Sequence, residues 1–259
     1  MLKELFTAAL GMLPQQTRLE VIANNMANAS TAGFKRENVF ERNLIDARAN
    51  FYNIKGDCES DDPPIGSYTD FAAGSFQQTG NQLDIALENK GFFMLKDEQG
   101  NDYLSRAGHF TLSRDGNITA MDGKLLMGED GPITLGKEFM DDPLNSNESK
   151  SVNLKISENG EVFANEYLIG TIQIADVKDQ KSLDRISNQY FIPTQNTEVE
   201  FIDPKEVSMR QGWLEGSNVD IIKEMVSMIE LQRQFEAGSK VITTNEATLD
   251  NSIRLGRYY

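Results

Sequence analysis

The chain has 259 residues, room for one large domain or two small ones. Its formal net charge is −15, from 40 acidic against 25 basic side chains. Neither end carries a compensating basic run, which disfavours nucleic acid and anionic membrane as partners. Cys58 is the only cysteine and His109 the only histidine, so an internal disulfide and a multi-cysteine metal site are excluded, and any histidine-based site would have to use His109.

Residues 1–36 are expected to form an N-terminal helix and its exit turn. Leu2, Leu5, Ala9, Met12, Gln16, Leu19, Ala23 and Met26 follow alternating steps of three and four, an a/d heptad with Gln16 as its one polar position. Pro14 cannot donate to the Leu10 carbonyl, which predicts a kink near it. Asn28, Ser30 and Thr31 favour caps and turns, and Gly33 can take positive φ, so the helix should end there. The segment lacks the basic start and continuous apolar run of a cleavable signal, and no stretch is apolar and long enough to cross a bilayer.

Residues 37–70 read as an extended, mobile linker. Glu37 to Ala49 fits either a short helix or a strand. Asn50 to Tyr68 reads as an irregular loop, with Gly56, the acids Asp57, Glu59, Asp61 and Asp62, and then Pro63-Pro64.

Residues 71–214 read as a β-rich body. Leu83, Ile85 and Leu87 alternate, and Phe92 to Leu95 follow Gly91. Asp115-Gly116, Asp122-Gly123 and Asn159-Gly160 are hairpin signals. Strands are expected over Phe110–Leu112, Ile118–Ala120, Val152–Ile156, Glu161–Phe163, Tyr167–Val177 and Gln211–Leu214. Lys137 to Lys150 reads as a linker or surface loop. Gln180 to Val207 reads as irregular, anchored by Phe191 and Phe201.

Residues 215–259 form the second predicted helix. Ile221, Met225, Met228, Leu231, Phe235, Ile242, Leu249 and Ile253 recur on one helical face, and Ile222, Val226 and Ile229 widen it. Ser217-Asn218-Val219-Asp220 offers a Ser or Asn cap followed by an acid. Ser217 to Asn251 would make a rod of about 50 Å, too long to cover one face of a small domain. Such a stripe needs a partner, and the N-terminal helix is the candidate, within the subunit or between subunits. An ordinary amphipathic helix over a core would show the same stripes. The predicted class is α+β, a mainly-β body of short strands and hairpins bracketed by N- and C-terminal helices.

Signals for chemistry are weak. His109 lies between turn residue Gly108 and strand residue Phe110 with no acid beside it in sequence. Asp115-Gly116-Asn117 is explained by turn chemistry, since the EF-hand pattern is absent. No phosphate loop, nucleophile elbow or CxxC motif occurs. The sequence therefore implies no enzyme, no cofactor and no metal site. An enzyme built around His109, a binding module using Tyr103 or Trp213, and a soluble coiled-coil dimer are the alternatives.

Four stretches carry a family pattern. They are Ala23-Asn24-Asn25-Met26-Ala27-Asn28-Ala29-Ser30-Thr31-Ala32-Gly33-Phe34-Lys35-Arg36; Gly80-Asn81-Gln82-Leu83-Asp84-Ile85-Ala86-Leu87 with Gly91-Phe92-Phe93; Arg106-Ala107-Gly108-His109-Phe110 with Asp115-Gly116-Asn117; and Glu215-Gly216-Ser217-Asn218-Val219-Asp220 with Glu224-Met225-Val226 and Met228-Ile229. In this order they resemble the bacterial flagellar basal-body rod and hook proteins, with Pro14 and His109 as departures. The short segment before Gly80, together with Gly128 and Gly131-Pro132-Ile133-Thr134, resembles the proximal rod subunit most and the distal one next.

The resemblance implies a structural subunit that leaves the cytoplasm through the flagellar export apparatus without a cleaved signal. It then assembles with proximal and distal rod subunits, and with itself in a helical array, into a periplasm-spanning shaft that transmits torque. It implies that the terminal helices form a coiled-coil inner layer and the β body faces outward, with no cofactor, nucleic acid or small-molecule substrate. Because a helix without a packing partner gains little in water, the helices are expected to order only on assembly.

Overall fold

The computed structural model describes residues 2–41, 65–136, 153–194 and 197–256. Most of the loop read over Asn50 to Tyr68, the segment Lys137 to Lys150, and the side chains of Leu2, Leu5, Ala9, Met12, Leu249 and Ile253 lie outside the described residues. The chain divides into two units. One comprises residues 1–29, 36–70 and 219–259, and the other residues 30–35 and 71–218.

The first unit holds helix α1 (Leu2–Ala27), strands β1 (Glu37–Glu41) and β2 (Ile65–Thr69), and helix α2 (Ile221–Gly256). Helix α1 runs through Pro14 without ending. Helix α2 has 36 residues, about 54 Å of rod. Its cap is Asp220, whose Oδ1 accepts from the backbone N–H groups of Ile222 (3.1 Å) and Lys223 (3.2 Å), rather than Ser217 or Asn218. The two helices pack on each other within the single chain. Order on assembly alone was the expectation; here each helix already supplies the other's partner.

The helix faces are also rotated from the heptad reading. On α1, Gln16 and Ala23 are exposed and Asn25 is buried. The cause is polar: Asn25 reaches β1, donating from Nδ2 to the Glu37 carbonyl (2.8 Å) and accepting at Oδ1 from the Glu37 N–H (3.0 Å). Strands β1 and β2 pair antiparallel with Phe40 opposite Gly66, whose missing side chain leaves room for the Phe40 ring. Residues Ile65 to Tyr68 are thus strand where the sequence suggested loop. Ile, Tyr and Thr resume β propensity once Pro63-Pro64 is passed.

The second unit holds strands β3 (Phe76–Gln78), β4 (Ile85–Leu87), β5 (Phe92–Lys96), β6 (Asp102–Ser105), β7 (Phe110–Leu112), β8 (Ile118–Ala120), β9 (Leu125–Gly128), β10 (Gly131–Pro132), β11 (Leu154–Ile156), β12 (Glu161–Ala164), β13 (Tyr167–Thr171), β14 (Ile174–Val177), β15 (Leu183–Arg185), β16 (Tyr190–Pro193), β17 (Val199–Phe201), β18 (Met209–Gln211) and β19 (Trp213–Glu215). The main sheet runs β15-β16-β6-β5-β9-β8-β7, with β10 on β9 and β14 joining β5 to β17. Strands β11-β12-β13 form a separate sheet, and β18-β4 and β19-β3 are two-stranded pairs.

Adjacent residues of β5 feed two cores, since side chains alternate across a strand. Phe93 joins Ile85, Phe110, Leu126 and Val162, whereas Phe92 joins Leu104, Ala175 and Phe191. The three predicted hairpin turns all form, with Gly116, Gly123 and Gly160 at positive φ.

Three readings change. Tyr167–Val177 splits at Ile172-Gln173, because β13 pairs with β12 and β14 with β5 and β17. Gln180–Val207 contains β15, β16 and β17 rather than irregular chain; Phe191 is fully buried, but Phe201 is half exposed. These strands are three or four residues long, too short to show a period. Gln211–Leu214 breaks at Gly212 (φ +76), which turns the chain from β18 on β4 to β19 on β3.

Candidate functional site

The signature residues after α1 close a buried polar knot inside the β unit. Gly33 sits at φ +70 and donates its N–H to the Glu215 carbonyl at 2.8 Å. A Cβ here would lie 2.3 Å from the Ala107 nitrogen, so only glycine fits. Phe34 is fully buried, with the Arg185 guanidinium 4.7 Å from its ring centre. Lys35 and Glu215 are 1% exposed each and pair at 2.7 Å. Lys35 Nζ also donates to the Ala72 carbonyl (2.8 Å), and Glu215 Oε1 accepts the Gly74 N–H (3.0 Å). Arg106 Nη1 stands 3.5 Å from Glu215 Oε2. Burial pulls the Arg106 guanidinium below its ordinary value, while Glu215 and Asp176 act in the opposite sense. Each charge in the knot therefore has a partner, as buried ions require.

Further signature residues brace the same unit. Asp84 is buried; its Oδ1 accepts from Asn81 Nδ2 (3.0 Å) and lies 2.5 Å from His109 Nδ1, and its carbonyl accepts the Gly212 N–H (2.7 Å). The lone histidine thus has an acid beside it in space that the sequence did not place there. Gly108 passes so close to Ile85 that a Cβ would lie 1.6 Å from the Ile85 carbonyl oxygen. Gly80 and Gly91 take positive φ, and Leu83 packs on the first core. Asn218 Nδ2 donates to the Ala72 carbonyl (3.1 Å), and Ser217 and Val219 are half-buried. Among the described residues, no three His, Cys, Asp or Glu side chains cluster to hold a metal.

In the helix unit, Asn28 closes the end of α1, donating from Nδ2 to both Asn24 oxygens at 2.7 and 2.9 Å. Arg36 Nε donates to Glu224 Oε1 (2.6 Å), and Glu224 is 1% exposed. A groove of about 290 Å³ runs between α1, β1 and α2, lined among others by Arg18, Ile22, Asn25, Glu224, Ser227 and Leu231. Leu231 is buried, Met228 and Ile242 are half-buried, and Leu19 and Met26 are half-buried on α1. Ile221, Met225 and Phe235 are exposed, as are Ile222, Val226 and Ile229. Helix α2 therefore turns Glu224 and Leu231 inward and leaves a broad apolar arc outward.

Three family models match in chain order: flagella basal body rod protein over residues 5–35, flagellar hook protein FlgE/F/G D1 domain over 86–164, and flagellar basal body rod FlgEFG protein C-terminal over 210–255. The flagellar basal-body rod protein FlgG of Agrobacterium fabrum is 30% identical across 94% of this chain and 95% of its own length. This chain belongs to the flagellar basal-body rod family. FlgG of Bacillus subtilis is 28% identical over 99% of the chain and all of its own, and FlgF of Mesorhizobium japonicum 26% identical over 96% of each. Both rod names align along nearly the whole chain, so similarity does not divide the proximal from the distal subunit. The first match ends at Lys35 and the last opens at Arg210, so the rod signatures end and begin at the buried knot.

Sequence reasoning quoted Lys35, Arg36, Glu215 and Glu224 within the signatures but gave them no role. The one available signal was a dibasic pair beside a required glycine, with acids flanking the second helix start. A separation of 180 residues hides the Lys35–Glu215 pairing.

Proposed function

We propose that the chain polymerises through its helix pair into the axial shaft of the flagellum. It is a structural subunit of the flagellar basal-body rod. The observation that supports helix-mediated assembly is the outward arc of α2. Ile222 is 74% exposed, and Val226 and Ile229 51% each, at i, i+4 and i+7, with Ile221, Met225 and Phe235 beside them. Contiguous apolar surface of this kind marks an interaction face. Covering it contributes roughly 25 cal/mol per Å² of apolar area removed from water.

In this reading Leu2, Leu5, Ala9, Met12, Leu19 and Met26 on α1 act with Ile221, Met225, Met228, Phe235, Ile242 and Leu249 on α2 toward neighbouring subunits. Leu231 serves the chain's own helix pair. Neighbours are further copies and other rod subunits, related head to tail, because a non-closing contact builds a helical array. The flagellar export apparatus is the partner in delivery, and the assembled shaft crosses the periplasm. The role is mechanical, with no catalytic step and no cofactor.

The test is a full-length Val226→Asp/Ile229→Asp chain in a cell lacking its own copy. The expected result is unchanged thermal melting of the purified subunit, absence from isolated basal bodies and loss of swimming. Normal incorporation of the variant would refute the helix face as the assembly surface.

A further inference from the structure

The turn Ser30–Lys35 is clasped against the far end of the chain. Besides the 2.7 Å Lys35–Glu215 pair, Gly33 N donates to the Glu215 carbonyl (2.8 Å), Gln189 Nε2 donates to the Ala32 carbonyl (3.1 Å), and Arg185 donates to the Lys35 carbonyl. The clasp is symmetric along the chain. Gly33 is the sixth residue past α1, which ends at Ala27, and Glu215 the sixth before α2, which begins at Ile221.

The helix pair itself has little to fix its register. Interlocking apolar knobs set register in a helix seam. The groove between these helices is lined largely by polar side chains, Arg18, Asn25, Glu224, Ser227 and Gln234 among them, and Leu231 is the one apolar residue of α2 buried among those described. Two tethers of equal length, pinned at one buried point, supply what the seam lacks. Arg36, next along from Lys35, grips Glu224 in the first turn of α2.

We propose that Lys35 and Glu215 are positioning residues for rod assembly: by pinning both tethers they set the register of α1 on α2, and so decide which apolar residues of α2 face a neighbour. This rests on the rod-subunit reading above. Neither residue needs to touch the neighbour.

The test uses the full-length chain with Glu215→Gln, which keeps the shape and removes the charge. Lys35 and Arg36 are both trypsin sites. Cleavage after them in the native chain should rise about tenfold, the open population gained when a charge-assisted bond weakens, while sites in the β body stay protected. The variant should also be missing from basal bodies. Gly33→Ala should do the same without touching the ion pair, because its Cβ would strike the Ala107 nitrogen and its φ is +70. The positioning role is overturned if both variants leave cleavage unchanged, if cleavage rises in parallel at all sites, or if a chain with an open clasp is incorporated like wild type. A wild-type chain absent from basal bodies overturns the rod reading itself, and the positioning role with it.

Discussion

Gly108 shows how a single missing methyl group holds the β unit together. Its backbone lies against β4, with the Ile85 N–H donating to the Gly108 carbonyl at 2.9 Å, and a Cβ would fall 1.6 Å from the Ile85 carbonyl oxygen. Neither partner is a flexible side-chain tip, so Gly108→Ala should cost about 3–5 kcal/mol, measurable by urea unfolding. A second cluster responds to pH. Tyr190 donates its hydroxyl to Asp122 Oδ1 at 2.8 Å, and the Lys124 ammonium lies 4.3 Å from the Tyr190 ring centre. Burial, with the Asp122 hydrogen bond and charge, pushes the Tyr190 hydroxyl above its ordinary value of 10.0. A group raised in the folded state contributes stability that is fully present below its unfolded value and lost as pH rises past it. The melting temperature should therefore fall above pH 10, and Tyr190→Phe should flatten that alkaline limb. Asp122 works in the opposite sense. Burial raises it, but the Lys124 and Tyr190 hydrogen bonds outweigh this and hold it below 3.8, so its contribution is present above that value and lost on further acidification.

At the scale of the element, α2 serves two surfaces at once. Leu231 packs inside the helix unit, whereas Val226 and Ile229 point away from it. Leu231→Ala should weaken the helix unit by about 2–3 kcal/mol through lost burial and a cavity. That loss should appear as early loss of helical circular dichroism with the β-unit signal retained. Val226→Asp should leave the same trace unchanged, since its side chain is already half in water. If the two substitutions affect the isolated subunit alike, the inward and outward faces of α2 are assigned wrongly. Helix α1 teaches a related lesson: a heptad of apolar residues gave the helix, but the Asn25 pairing with β1 set which side turned in.

For the whole molecule, the second unit is discontinuous in sequence, residues 71–218 together with 30–35. An excised 71–218 fragment should unfold cooperatively, as single domains of this size do. It would, however, carry Glu215 without Lys35. Glu215→Gln should therefore destabilise the intact chain yet be neutral or stabilising in the fragment, because a buried charge that has lost its partner costs more than a neutral amide. The difference between the two effects, from paired denaturation curves, measures the coupling between turn and body. Equal effects in chain and fragment would show that the signature turn contributes nothing to the unit.

The sequence by itself determined both helices, the hairpin turns and the family, because these rest on local chemistry. Apolar spacing shows a helix, Asp-Gly and Asn-Gly show a turn, and the signature stretches are contiguous. It also located Gly33, Phe34, Asp84 and Gly108 as residues with a required role. Only the tertiary structure decided that Lys35 meets Glu215, that His109 meets Asp84, that β15 to β17 join the main sheet, and that α2 faces outward along Ile222, Val226 and Ile229. Those outcomes depend on pairings between distant parts of the chain. A short strand or a single charge acquires its meaning from the partner it meets, and nothing in its neighbours along the chain names that partner.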